Sequence, residues 1–114
     1  MDASPAVDWI HRHGRAIDQR CVSVELGTAD TAVVAEALGA FQNPDGGFGH
    51  ALEPDVRRAG SSVLATTIAL QLLARYGLGG NVDLLDGARR FLTGTYEPGT
   101  AAWPIVPAEP FSKY

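Results

Sequence analysis

The chain has 114 residues, 46% of them hydrophobic and 19% charged, with a formal net charge of −4. That length fits a single domain with a modest core, and the composition is globular rather than disordered. With 9 basic side chains against 13 acidic ones, a nucleic-acid or anionic-membrane surface is not expected, because such surfaces need clustered Lys and Arg. Cys21 is the only cysteine, which excludes an internal disulfide and a Cys-based zinc cage.

The start Met1-Asp2-Ala3-Ser4-Pro5 carries no basic region followed by an apolar core, so no signal peptide is expected. No apolar run approaches the ~20 residues of a transmembrane segment. A cytoplasmic location follows as the expectation.

Ser4-Pro5 reads as a helix start, a capping hydroxyl followed by proline at the first helical position. Val7, Trp9, Ile10 and Ile17 form a loose apolar stripe, broken by the polar run from His11 to Arg15. Gly14 is expected to end or bend this helix. From Cys21 to Leu26, Val22, Val24 and Leu26 alternate with Ser23 and Glu25; that is a strand period, with a second short helix equally compatible. Thr28 to Phe41 reads as a helix with Val33, Val34, Ala37, Leu38 and Phe41 on one face, and Asp30 in its first turn, where the helix dipole favours negative charge.

The connection Gln42 to Gly60 is longer than the roughly 12–15 residues that compact domains usually allow, so a functional or carefully packed loop is expected. Pro44 presets a turn, and Asp45 can bond nearby N–H groups. Gly46, Gly47 and Gly49 permit positive φ or the close approach of another backbone, and Phe48 is an apolar anchor. Ser61 to Tyr76 is apolar around most of its circumference, apart from the Thr67, Gln71 and Arg75 stripe, and reads as an inner helix stopped by Gly77. Asn81 caps a last helix with Leu84, Leu85, Ala88, Phe91 and Leu92 inward. After Gly94, Pro98, Gly99, Pro104, Pro107 and Pro110 dissolve the helical period, leaving Trp103, Ile105, Val106 and Phe111 to pin the tail. The chain therefore divides into an N-terminal helical segment (1–27), a first repeat with its long loop (28–60), a second helix pair (61–94) and a Pro-rich tail (95–114).

Leu38 to Phe48 and Phe91 to Trp103 align by residue type at a period of about 50 residues, the scale of a stacked helix-pair repeat. Gln42, followed by Gly46-Gly47 and the aromatic Phe48, resembles the QW-type repeat of squalene–hopene cyclases and prenyltransferase-repeat proteins, the α/α-toroid family. The resemblance implies an all-α fold of stacked helix hairpins forming part of an α/α-toroid, with Gln42 and Phe48 tying one helix end to the next helix start. It also implies an apolar isoprenoid-type ligand, with Phe48, Tyr76 and Trp103 lining its pocket and His50, Glu53 and Asp55 as candidate catalytic groups at the mouth. Gln42, Asp45, Gly46, Gly47 and Gly49 are the structural loop residues. The chain lacks the Asp-x-Asp-Asp acid of class II cyclases, since Asp83-Leu84-Leu85-Asp86 is not one; it also lacks an Asp-Asp-rich metal motif and the zinc-ligand context around Cys21. No metal site and no cofactor are nominated. Because so few helices make only an arc, the alternative is a non-catalytic interaction module, a homo-oligomer or a subunit that completes a toroid with a partner.

Overall fold

The structure, a computed structural model, describes residues 4–103; the expected pins Ile105, Val106 and Phe111 lie outside them. Among these residues five helices follow one another: α1 (Ser4–His13), α2 (Ala16–Glu25), α3 (Ala32–Gly39), α4 (Val63–Arg75) and α5 (Val82–Thr95). Among the described residues β pairing is limited to three isolated bridges, so the all-α expectation holds. No helix there is long and apolar enough to cross a membrane.

Local chemistry sets the boundaries. Gly14 separates α1 from α2, at a point where a β-carbon would meet the Ile10 carbonyl at 2.6 Å. Of the two readings open for Cys21 to Leu26, the helix is the one formed. Ile17, Cys21 and Val24 turn toward the core at helical spacing, a register that outweighs six residues of alternation. α2 closes in a Schellman arrangement, with Gly27 N–H on the Val24 carbonyl at 3.0 Å and Thr28 N–H on the Ser23 carbonyl at 2.9 Å. That closure takes up the residues expected to begin α3, so α3 starts at Ala32 rather than Thr28, and Asp30 precedes it.

α4 starts at Ser62, whose hydroxyl accepts from Ala65 N–H at 3.0 Å. It ends in the same Schellman pattern, with Leu78 N–H on the Leu73 carbonyl at 2.8 Å and Gly77 at φ +65°. Asn81 does not cap α5 with its side chain as expected; its amide turns back to the Leu78 carbonyl at 3.1 Å.

α1 packs on α2, α2 on α3, and α4 on α5. The result is two helix hairpins, α2–α3 and α4–α5, whose first helices end in matching glycine closures. Between them lies one core. It takes Ile17 from α2, Val34 and Leu38 from α3, Phe48 and Leu52 from the long loop, Ala69 and Leu73 from α4, and Ala88 from α5. Small residues at Ala65, Ala69 and Ala88 let backbones and the loop approach closely. Contiguous burial of this kind is the dominant favourable term in folding.

Candidate functional site

The loop after α3 is bolted down residue by residue. The Gln42 side-chain amide donates to the Gly46 carbonyl at 3.0 Å and to the Leu84 carbonyl of α5 at 3.2 Å. Gly46 has φ +88°, and a β-carbon on it would collide with the backbone of Gly87. Gly47 lies under the Phe91 ring and Gly49 under the backbone of Ala59 and Gly60. Phe48 is 0% exposed; its N–H donates to Thr66 Oγ1 and its carbonyl accepts from Ser62 N–H, both at 3.0 Å.

A polar chain runs through the same turn. Asp45 Oδ1 accepts from Gly47 N–H at 2.9 Å and from the Ser61 hydroxyl at 2.6 Å. Asn43 donates to Ser61 Oγ and to the Ala59 carbonyl, each at 3.0 Å, and its Oδ1 lies 2.7 Å from His50 Nε2. His50 and Ala51 both carry left-handed backbone, φ +57° and +61°, which costs a non-glycine residue about 1–2 kcal/mol. Arg15, at the start of α2, offsets that strain. Its Nη1 donates to the Ala51 carbonyl at 2.7 Å and the Leu52 carbonyl at 3.1 Å, while Asp18 steers the guanidinium at 2.9 Å. Sequence reasoning missed Arg15; the signal was Asp18 three residues later, the spacing at which an acidic side chain reaches back to the N-cap, and its Oδ2 accepts from the Arg15 backbone N–H at 3.2 Å.

The three candidate catalytic groups are bonded separately. His50 faces Asn43, Glu53 Oε1 accepts from the N–H of Asp55 at 3.2 Å, and the Asp55 side chain is exposed. Among the described residues no group of three or more His, Cys, Asp or Glu side chains is placed to hold a metal ion.

Phe48, Tyr76 and Trp103 stand in three different settings. Phe48 belongs to the core. The Tyr76 hydroxyl donates to Glu25 Oε1 at 3.1 Å, and the same oxygen accepts from Arg75 Nη2 at 2.7 Å and Nε at 3.1 Å. Burial, helped by a hydrogen bond with Cys21, pushes the Tyr76 phenol up to about 12. Burial also raises the Cys21 thiol, and the Arg75 hydrogen bonds hold Glu25 below the usual carboxylate range. These residues tie the end of α2 to the end of α4.

Trp103 is 44% exposed. Its indole N–H donates to the Leu92 carbonyl at 2.6 Å, and its ring sits 4.8 Å from that of Tyr96. The two aromatics wall an open groove of about 630 Å³ whose floor is Leu70, Leu85 and Leu92, with Arg89 at its edge. Phe48 and Tyr76 do not line it. The signal for this groove was a second stripe on α5, Leu85, Arg89, Leu92 and Tyr96 at i, i+4, i+7 and i+11. It lies beside the buried stripe of Gly87, Ala88 and Phe91. Comparison with protein-family models, with curated proteins and with solved structures returns no match to this chain.

Proposed function

We propose that the chain is a non-catalytic helical-repeat interaction module, a short α/α-toroid arc whose groove at the end of α5 docks a further helical unit. One observation carries this reading. After α3 the chain turns through the Gln42–Phe48 bridge, and Phe48 is 0% exposed because the start of α4 covers it; after α5 it turns through the Glu97–Ala102 bridge, and Trp103 is 44% exposed. In stacked repeats the face that one unit leaves open is the face that the next unit buries. Loop chemistry supports binding over catalysis, since His50 and Glu53 each serve a local hydrogen bond and Asp55 stands exposed apart from them. The Phe48 backbone bonds to Ser62 and Thr66 at the start of α4 are the kind of tie that the toroid resemblance implies, whereas Gln42 reaches α5 instead.

A second reading is favoured by the groove's size. A volume of about 630 Å³ lies within the roughly 300–1,000 Å³ of small-molecule sites, and leucine floors with aromatic walls suit an isoprenoid-type chain. Light scattering on the purified chain, with and without a farnesyl diphosphate analogue, separates the two. A discrete assembly that Leu92→Glu breaks without lowering the melting temperature supports the interaction module. A monomer whose tryptophan emission shifts with the analogue moves the assignment to the isoprenoid ligand. A monomer that responds to neither overturns both.

A further inference from the structure

We infer that the unit docked in the groove is α1 of a second copy, laid antiparallel along α5, so that copies associate head to tail. The inference rests on the docking reading of the groove. The slot that α4 fills for the first hairpin is, beside α5, a slot for a docked helix.

α1 has the properties of that helix. It packs on α2, yet none of its residues is buried. Val7 and Ile10 are half-buried, whereas Trp9 is 61% exposed. Pro5, Asp8, Trp9, Arg12 and His13 line one shallow concavity, and their spacing of i, i+3, i+4, i+7 and i+8 is that of a single helix face. A half-exposed tryptophan at the centre of such a face is the type of side chain that anchors an interface when it enters an apolar pocket. The groove offers one, between Leu85, Leu92 and Trp103.

Charge then fixes the direction. Along α1 the acid precedes the base, Asp8 then Arg12. Along α5 the order is the same, Asp86 then Arg89, with Arg89 Nη1 3.6 Å from Asp86 Oδ1. Antiparallel docking sets Asp8 against Arg89 and Arg12 against Asp86. Parallel docking sets like charges together, which is destabilising. The two surfaces differ, so the contact is heterologous, and an open row of copies keeps one free head at one end and one free tail at the other.

The test uses Trp9→Glu, which blocks the head, and Trp103→Glu, which blocks the tail, with circular dichroism confirming that both fold. Light scattering is run up to on the order of 100 µM, where a small transient interface is populated. The wild type is expected to associate and each variant alone to stay monomeric. An equal mixture of the two is expected to form a 1:1 dimer and nothing larger. Asp8→Arg and Arg89→Asp are each expected to weaken association about fivefold, the factor of one exposed charge pair, and the double variant to recover it. These charge variants keep the proposal testable if Trp103→Glu unfolds. A monomeric wild type overturns the inference, as does a mixture that fails to pair. If Trp103→Glu abolishes association while Trp9→Glu does not, the groove still docks a partner but α1 is not its occupant.

Discussion

Gln42 at the start of the long loop and Arg15 gripping its middle do the same work, each donating from one side chain to two carbonyls. Removing such a donor leaves part-buried acceptors unmatched, at about 1–3 kcal/mol. Gln42→Ala is therefore expected to lower the melting temperature by roughly 4–8 °C for each kcal/mol lost, measured by thermal circular dichroism. Arg15→Lys is expected to recover little of the loss in Arg15→Ala, because an ammonium cannot hold two carbonyls and Asp18 in one planar fork. Gly87→Ala tests the close approach directly. Its new methyl would meet the Gln42 amide and the Gly46 backbone, and overpacking of this kind typically costs about 1–3 kcal/mol. Equal stability of Gly87→Ala and wild type would show that the loop does not seat on α5 as described. Glu53→Gln and Asp55→Asn stand in contrast: Glu53 serves one local N–H and Asp55 is exposed, so both are expected to change stability by less than about 0.5 kcal/mol.

At the level of elements, helix ends were more legible than helix starts. α4 was readable at its C-terminal end, where Gly77 supplies the left-handed residue; at its start the reading from Ser61 did not separate the cap, which is the Ser62 hydroxyl. Ser62→Ala is expected to cost about 1 kcal/mol and Gly77→Ala about 1 kcal/mol through its positive φ. A chemical-denaturation series measures both, and Gly77→Ala should do it without steric conflict, because nothing lies within 4 Å of its added carbon. α2 was ambiguous because six alternating residues satisfy two periods, and the helical register shows only when Ile17, outside that window, is set beside Cys21 and Val24. α3 reads too long because Thr28, its expected first residue, is instead taken up in the local Gly27 closure of α2. The structural role of the Gln42-to-Gly49 turn was legible in its residue types. The groove was not, because Arg89 interrupts the second apolar stripe of α5 and Tyr96 and Trp103 meet only through the turn between them.

Across the whole molecule, the two hairpins are joined at matching helix ends by Glu25, Arg75 and Tyr76, and this junction gives stability a two-sided pH dependence. Glu25 titrates below its usual value of 4.5, chiefly through the Arg75 hydrogen bonds. Its contribution is present above about pH 4.5 and is lost as pH falls through the lower folded value. Tyr76 is raised from 10.0 to about 12, chiefly by burial. Its contribution is complete below pH 10 and is lost as pH rises toward 12. The junction therefore favours the folded state most between those limits. Melting temperature followed against pH should fall on both sides, with Glu25→Gln flattening the acid limb and Tyr76→Phe the alkaline one. Because Glu25 and Arg75 are exposed, the acid-side difference between wild type and Glu25→Gln should shrink at high salt, where such pairs are screened. If both variants keep wild-type slopes on both limbs, the ends of α2 and α4 are not coupled through these side chains, and the loop core around Phe48 alone holds the hairpins together.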